Sequence, residues 1–349
     1  MKEFFSIDLN KAADALTFID STDRETWVAM AGAMKSEFGE AGFDTWDYWS
    51  SGASNYNKKA ALSVWKSIRP FGSDKTATIA SLIYLAKESG FEIEADALTD
   101  EQKKQHQKAR EEKQKLREKE WQQQQIIIQQ QQRQTAQLAQ TIWRHHTSKG
   151  GQSEYLDNKK VRPFNIRFIA NALIVVNRED DQRLIQGSAN VSAFYNSEDK
   201  DAGGFHHFKS GCLVVPMFDE TKEIQNLQII KPSGIKTFLK NGRKKGCFHV
   251  IGDISNSKVI LFAEGYSTAA SLHQATELPV VIAFDSGNLP PVAKSIKKLF
   301  PDSGFVVCGD DDVDNEKNPG RKKALAAAEA IGGVAVFPCF TSQGVCADE

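Results

Sequence analysis

The chain has 349 residues, more than one hydrophobic core organises, so two or three domains are expected. Its composition, 40% apolar and 26% charged, is that of a globular protein and excludes a largely disordered chain. A formal net charge of −1 excludes a uniformly basic nucleic-acid binder, though a near-neutral total leaves room for opposite local fields.

Residues 1–30 carry acids throughout and no apolar run flanked by basic residues, so no signal peptide is read there. From residue 1 to about 95 the pattern is helical. Thr22-Asp23-Arg24-Glu25 has the form of a capping box in which Thr22 and Glu25 satisfy the first free amides. Behind it Trp27, Met30, Ala31, Met34 and Phe38 recur at three- and four-residue steps, one apolar helical face. A later helix from about Thr76 repeats the pattern with Ile79, Leu82, Ile83 and Ala86, and Gly90 suits its stop. Trp27, Trp46, Trp49 and Trp65 also fall here and are read as core filling in preference to base-stacking platforms. Trp27, Ser36-Glu37-Phe38, Asp47-Tyr48-Trp49-Ser50, Tyr56, Trp65 and the closing Ile79…Leu82…Ala86…Gly90 resemble the small helical domain of plasmid and phage primases known as the primase C-terminal domain of the second type. The resemblance covers residues 8–91 and implies a helper, not a catalyst.

Residues 96–149 change character. Between Glu101 and Trp121 stand eight Lys or Arg and five Glu, followed by four-glutamine runs at 122–125 and 129–132. Glu111 and Lys115 are correctly ordered at i,i+4, and no Gly or Pro interrupts from Thr99 to Ser148, so a long, mostly solvated linker helix is expected. Leu116, Trp121 and Ile126–Ile128 do not sustain a heptad, which makes a coiled coil the weaker option.

From 150 to 256 the chain is mixed and strand-rich, with short apolar runs at Leu173–Val176, Leu213–Val215 and Leu227–Ile230. Ile224 to Gly252 contains no Asp or Glu, yet holds Lys231, Lys236, Lys240, Arg243, Lys244 and Lys245. Lys236-Thr237-Phe238-Leu239 and Gly242-Arg243-Lys244-Lys245-Gly246 suggest a basic strand and a Gly-flanked turn facing phosphates, against the plainer reading of a solvated hairpin. From 257 to 349 strands and helices alternate: Val259–Ala263, Ser267–Ala275, Val280–Phe284, Pro290–Leu299, Phe305–Cys308, Arg321–Ala330, Val334–Phe337. Such alternation predicts a mostly parallel sheet between helices, giving an α+β multidomain chain overall. The longest apolar runs have strand length and cannot span a bilayer, so a cytoplasmic protein with no membrane segment is expected.

In an open α/β sheet the site lies beyond the carboxyl ends of the strands. Those ends read Phe262-Ala263-Glu264-Gly265, Phe284-Asp285-Ser286-Gly287-Asn288 and Cys308-Gly309-Asp310-Asp311-Asp312. Five acids fall within Asp310–Glu316, and carboxylates so crowded call for a hard divalent cation, Mg²⁺ or Mn²⁺. A glutamate after the first strand and Asp-x-Asp after the third resemble the Toprim domain of primases, topoisomerases and nucleases, mapping onto Glu264, Asp310 and Asp312. Ala263-Glu264-Gly265…Thr268-Ala269, Ala283-Phe284-Asp285…Gly287-Asn288-Leu289, Gly309-Asp310-Asp311-Asp312, Asn318-Pro319-Gly320-Arg321…Ala324 and Gly332-Gly333…Pro338 resemble the Toprim primases of conjugative plasmids and prophages over residues 150–340. The basic stretch resembles, more loosely, the polymerase subdomain that faces the Toprim acids in replicative primases.

The resemblance implies a DNA primase of a mobile genetic element making short primers on single-stranded DNA. Glu264, Asp310 and Asp312 would hold the metal. Lys231, Lys236, Lys240, Arg243, Lys244, Lys245, Asn288 and Arg321 would contact template or nucleoside triphosphate. A replicative helicase is the implied partner. A Toprim nuclease and a non-catalytic single-strand-binding accessory are the alternatives, and the family's usual acids after the fourth strand have no counterpart before Glu349. The five cysteines, Cys212, Cys247, Cys308, Cys339 and Cys346, are scattered without a C-x-x-C, and His145-His146 and His206-His207 lack partners at ligand spacing, so no zinc is expected.

Overall fold

The computed structural model describes residues 7–68, 77–92, 100–178, 182–310 and 318–338. The chain divides into two compact units, Met1–Gln125 and Ile126–Glu349.

The first unit is helical: α1 (Leu9–Leu16), α2 (Arg24–Phe38), α3 (Phe43–Ser51), α4 (Lys58–Ser67) and α5 (Ile79–Glu88). The N-cap of α2 is Asp23, whose carboxylate accepts from Thr26 N–H at 2.8 Å. Thr22, expected to cap, donates its hydroxyl to Asp20 instead (2.7 Å). Asp caps as well as Thr and here stands one residue nearer the first free amides, so the expected Thr22/Glu25 box does not form. Helix α5 starts at Ile79, three residues after the expected Thr76, with Ser81 Oγ accepting from the Thr78 N–H at 3.2 Å, and Gly90 follows it at φ +95°. Trp46 and Trp65 are buried at the centre of the unit's core, with Trp27 and Trp49 packed against it. Each indole N–H bonds inside the unit: Trp27 to Ser50, Trp46 to the Trp27 carbonyl, Trp49 to the Ile19 carbonyl and Trp65 to Glu40. That spends their polar edges on the fold, as core residues do.

Helix α6 (Asp100–His145) is continuous for 46 residues. It departs from the expected solvated linker at its C-terminal end. Thr135, Ala136, Ala139 and Ile142 are buried, and Ala139 and Ile142 join a core with Leu173, Val175, Phe208, Val214 and Leu227. These residues recur at helical spacing, and the glutamines around them dilute the apolar signal without removing it.

The second unit continues with β1 (Thr147–Ser148), α7 (Glu154–Lys159), β2 (Arg167–Ile169), β3 (Leu173–Asn177), β4 (Gln182–Gln186) and α8 (Ser188–Tyr195). Then come β5 (Phe205–Phe208), β6 (Leu213–Phe218), β7 (Ile224–Ile230), β8 (Lys236–Phe238) and β9 (His249–Ile251). One sheet is antiparallel in the order β1-β2-β6-β7-β8, and a smaller one runs β4-β3-β5. The remaining elements are β10 (Val259–Ala263), α9 (Tyr266–Thr276), β11 (Val280–Ile282), α10 (Leu289–Leu299), β12 (Gly304–Cys308), α11 (Pro319–Ile331) and β13 (Val334–Val336). Their sheet has the order β13-β12-β10-β11-β9, with parallel pairing throughout except at β9. Ile260, Phe262, Val281 and Val307 pack on α10 and α11 on one face. Leu261, Ala263, Val280 and Ile282 pack on α9 and the antiparallel sheet on the other. Burial on both faces is why these strands read as unbroken apolar runs.

Candidate functional site

Strands β10 and β12 are parallel neighbours with Phe262 opposite Val307. Their carboxyl ends therefore release Glu264 and Asp310 at one end of the sheet, the half-buried glutamate and the exposed aspartate on neighbouring strands. Asp312 lies outside the described residues, as do Asp311 and residues 313–317. Two adjacent carboxylates supply the hard oxygen donors that a divalent cation takes, so the donor chemistry fits. Among the described residues no three His, Cys, Asp or Glu side chains converge as a metal cluster, and the four further acids of the Asp310–Glu316 run lie outside them. Cys308 sits at the end of β12, and burial pushes its thiol up to about 11, so it stays protonated at neutral pH in the absence of a cation.

On the side of β10 away from β12, β11 leaves the sheet through Phe284 at φ +71°. A buried aromatic side chain rarely adopts that backbone conformation, and it persists here because the surroundings dictate it. Asn288 donates to the Ala283 carbonyl (2.8 Å) and to the Cys247 carbonyl (2.9 Å), and its Oδ1 accepts from Gly246 N–H (2.8 Å). Phe284 packs edge-on against Phe238 of β8, centroids 6.2 Å apart. The turn delivers Asp285 to the same end, where it pairs with Lys244.

Strand β8 brings the basic segment to this end. Lys236 and Phe238 alternate on one side of the strand; Phe238 meets Phe284, and Lys236 Nζ lies 3.4 Å from where a Cβ on Gly265 would stand. An ammonium thus sits beside the residue that follows Glu264. Lys244 Nζ rests 4.8 Å above the Phe238 ring. Lys240 donates to the Asn177 carbonyl at 3.3 Å. Among the described residues Lys231, Lys236 and Lys245 pair with no carboxylate.

Three of the expected contacts have partners of their own within the fold. Asn288 is 4% exposed with both amide hydrogens and its oxygen spent on backbone, so it shapes the turn and offers nothing to a nucleotide. Arg243 faces Asp219 at 3.7 Å and Glu220 at 4.0 Å, acids that precede the acid-free stretch in sequence but meet it in space. Lys245 has no such carboxylate partner among the described residues. Arg321 lies 4.3 Å over the Phe337 ring on α11 and packs there. His207 shares a 2.9 Å hydrogen bond with the Tyr195 hydroxyl and belongs to no metal cluster among the described residues. Thr135, Gln182 and Asn226, which hold the basic loop, were not legible: nothing marks a threonine in a glutamine-rich helix as a partner for a loop a hundred residues away.

The molecule is thus a mixed α/β protein with a separate helical unit, and an acid-lined sheet end facing a basic strand. Residues 12–86 match the family described as Primase C terminal 2 (PriCT-2). Two proteins named DNA primase TraC, both from Escherichia coli, are 42% identical to this chain over 133 residues, and the chain is TraC-like with a PriCT-2 domain. The match takes in 36% of this chain but only 9% and 12% of those relatives. Among solved structures, the DnaG primase catalytic domain bound to ssDNA is 16% identical with a TM-score of 0.36, covering 59% of this chain and 73% of that one. The primase fragment of the bacteriophage T7 primase-helicase is 20% identical with a TM-score of 0.30, covering 37% and 54%.

Proposed function

We propose that this chain is a DNA primase that makes short primers on single-stranded DNA, working in the replication or transfer of a mobile genetic element. The observation that carries the reading is that Glu264 and Asp310 leave adjacent parallel strands at the same end of the sheet, where the Lys236 ammonium of β8 lies beside Gly265. Kinship with the TraC primases supports it.

In this reading Glu264, Asp310 and Asp312 form a Toprim centre that holds Mg²⁺, or Mn²⁺ in its place. The bound cation would stabilise charge developing at phosphorus and lower the cost of a 3′-oxygen nucleophile. Lys236 offsets phosphate charge beside the acids. Lys231, Lys240 and Lys245 supply further cations for a template backbone or an incoming nucleoside triphosphate. Asp285, paired with Lys244, limits how far that cation reaches. A replicative helicase is the proposed partner. No helix among the described residues is long and apolar enough to cross a membrane.

Incubation with single-stranded DNA, labelled ribonucleotides and Mg²⁺ tests the proposal. New short oligonucleotides are the expected product. Shortened DNA would make the chain a Toprim nuclease, and neither product would leave a single-strand-binding accessory.

A further inference from the structure

The basic loop Leu239–Cys247 is held far more firmly than a solvated loop requires. From β7, Asn226, 1% exposed, accepts from the Leu239 N–H (3.2 Å) and donates to the Leu239 carbonyl (3.3 Å), much as a neighbouring strand would. From α6, the fully buried Thr135 hydroxyl donates to the Lys240 carbonyl at 3.1 Å. From β4, Gln182 donates to the same carbonyl at 3.3 Å and to Thr135 Oγ1 at 2.9 Å. Gly242 then crosses so close that a Cβ there would stand 2.2 Å from Asn226 Nδ2 and 2.9 Å from Thr135 Cγ2. At the far end Asn288 holds both the Gly246 N–H and the Cys247 carbonyl.

Loop backbone at a surface is ordinarily satisfied by water, and burying an amide or hydroxyl costs free energy unless it is bonded. Here three buried polar side chains, from α6, β7 and the turn after β11, are committed to one cationic loop. What they fix is the path of the backbone, while Lys245 stays exposed and pairs with no carboxylate among the described residues. Binding an extended polyanion with mobile lysines carries an ordering cost for each one immobilised, and a loop whose backbone is already fixed avoids part of it.

We propose that Thr135, Asn226 and Asn288 are positioning residues that preset this loop, so that Lys240 and Lys245 meet the phosphates of a single strand from a fixed backbone. The inference rests on reading the loop as a nucleic-acid contact.

The full chain is titrated into fluorescein-labelled oligothymidylate across a salt series, with anisotropy as readout and melting followed in parallel. Lys245→Gln is expected to weaken binding and to make the salt slope shallower by about 0.7, since one phosphate contact is lost. Thr135→Val keeps the shape and every cation but removes the hydroxyl. It is expected to weaken binding about three- to tenfold, the worth of one hydrogen bond, with the salt slope unchanged, and Thr135→Ser to restore it. Gln182→Ala, at a partly exposed position, carries the same test should Thr135→Val not fold. Wild-type affinity in both Thr135→Val and Gln182→Ala, with Lys245→Gln weakened, overturns the positioning role alone. Wild-type affinity and slope in Lys245→Gln overturns the underlying reading of the loop.

Discussion

At the residue scale the site and the core make separate demands. Asp310→Ala and Glu264→Gln each remove a carboxylate from the sheet end, and primer synthesis in Mg²⁺ should fall to background while melting holds or rises, because crowded negative charge is relieved. Near-wild-type synthesis by either variant would place the chemistry elsewhere. His249 makes the opposite point. It is fully buried on β9, stacked 6.1 Å from Phe218, and burial lowers its pKa to about 4. The folded protein keeps it neutral down to that pH, whereas the unfolded chain takes up the proton near 6.5. Stability from this residue is therefore complete above pH 6.5 and is lost as pH falls toward 4. Between pH 7.5 and 5 the loss is roughly 2 kcal/mol. Thermal melts of His249→Phe should show that much less acid sensitivity than the wild type, and parallel curves would disprove it. Sequence pattern singles out Glu264 and Asp310 as candidates because acids directly after apolar strands are conspicuous. It misassigned Asn288 because an asparagine that saturates buried backbone looks the same in sequence as one that waits for a nucleotide.

At the scale of elements, the parallel strands were legible almost to the residue, since Val259–Ala263 is buried on both faces, Gly304–Cys308 is buried on one and partly covered on the other, and both read as apolar runs. The β4 and β5 strands were not. Gln182–Gln186 and Phe205–Phe208 lack a clean period of two, and only their pairing with β3 makes them strands. The end of α6 was misjudged because its inward residues are small or polar: Thr135, Ala136 and Ala139. Its role can be measured. A fragment of residues 126–349 keeps Ala139 and Ile142 in the core beneath the antiparallel sheet, whereas residues 150–349 lose both. The shorter fragment should melt well below the longer one and expose dye-binding surface. Within the whole chain, Ile142→Ala should cost about 2–5 kcal/mol in denaturant unfolding. Equal melting of the two fragments would return α6 to the status of a spacer.

At the scale of the whole molecule, a net charge of −1 hides a division of labour. Residues 1–95 hold fourteen Asp or Glu against ten Lys or Arg, whereas Ile224–Gly252 holds six cations and no acid. The helical unit has its four tryptophans turned inward with their N–H groups bonded, which leaves those rings unavailable as stacking platforms. An excess of acids also repels a phosphate backbone. Among the described residues its core draws on residues 7–91 alone, so it should fold when expressed alone. Residues 1–95 should then show no measurable affinity for labelled oligothymidylate at 150 mM salt. Residues 126–349 should bind, with a salt slope of about 0.7 for each lysine–phosphate contact. Because surface cations act through screened Coulomb attraction, that binding should fade steadily from 50 to 300 mM salt without any change in melting. Tight, salt-dependent binding by residues 1–95 would reverse the assignment. The template would then be held by the PriCT-2 unit, and the basic loop would be left to the nucleoside triphosphate.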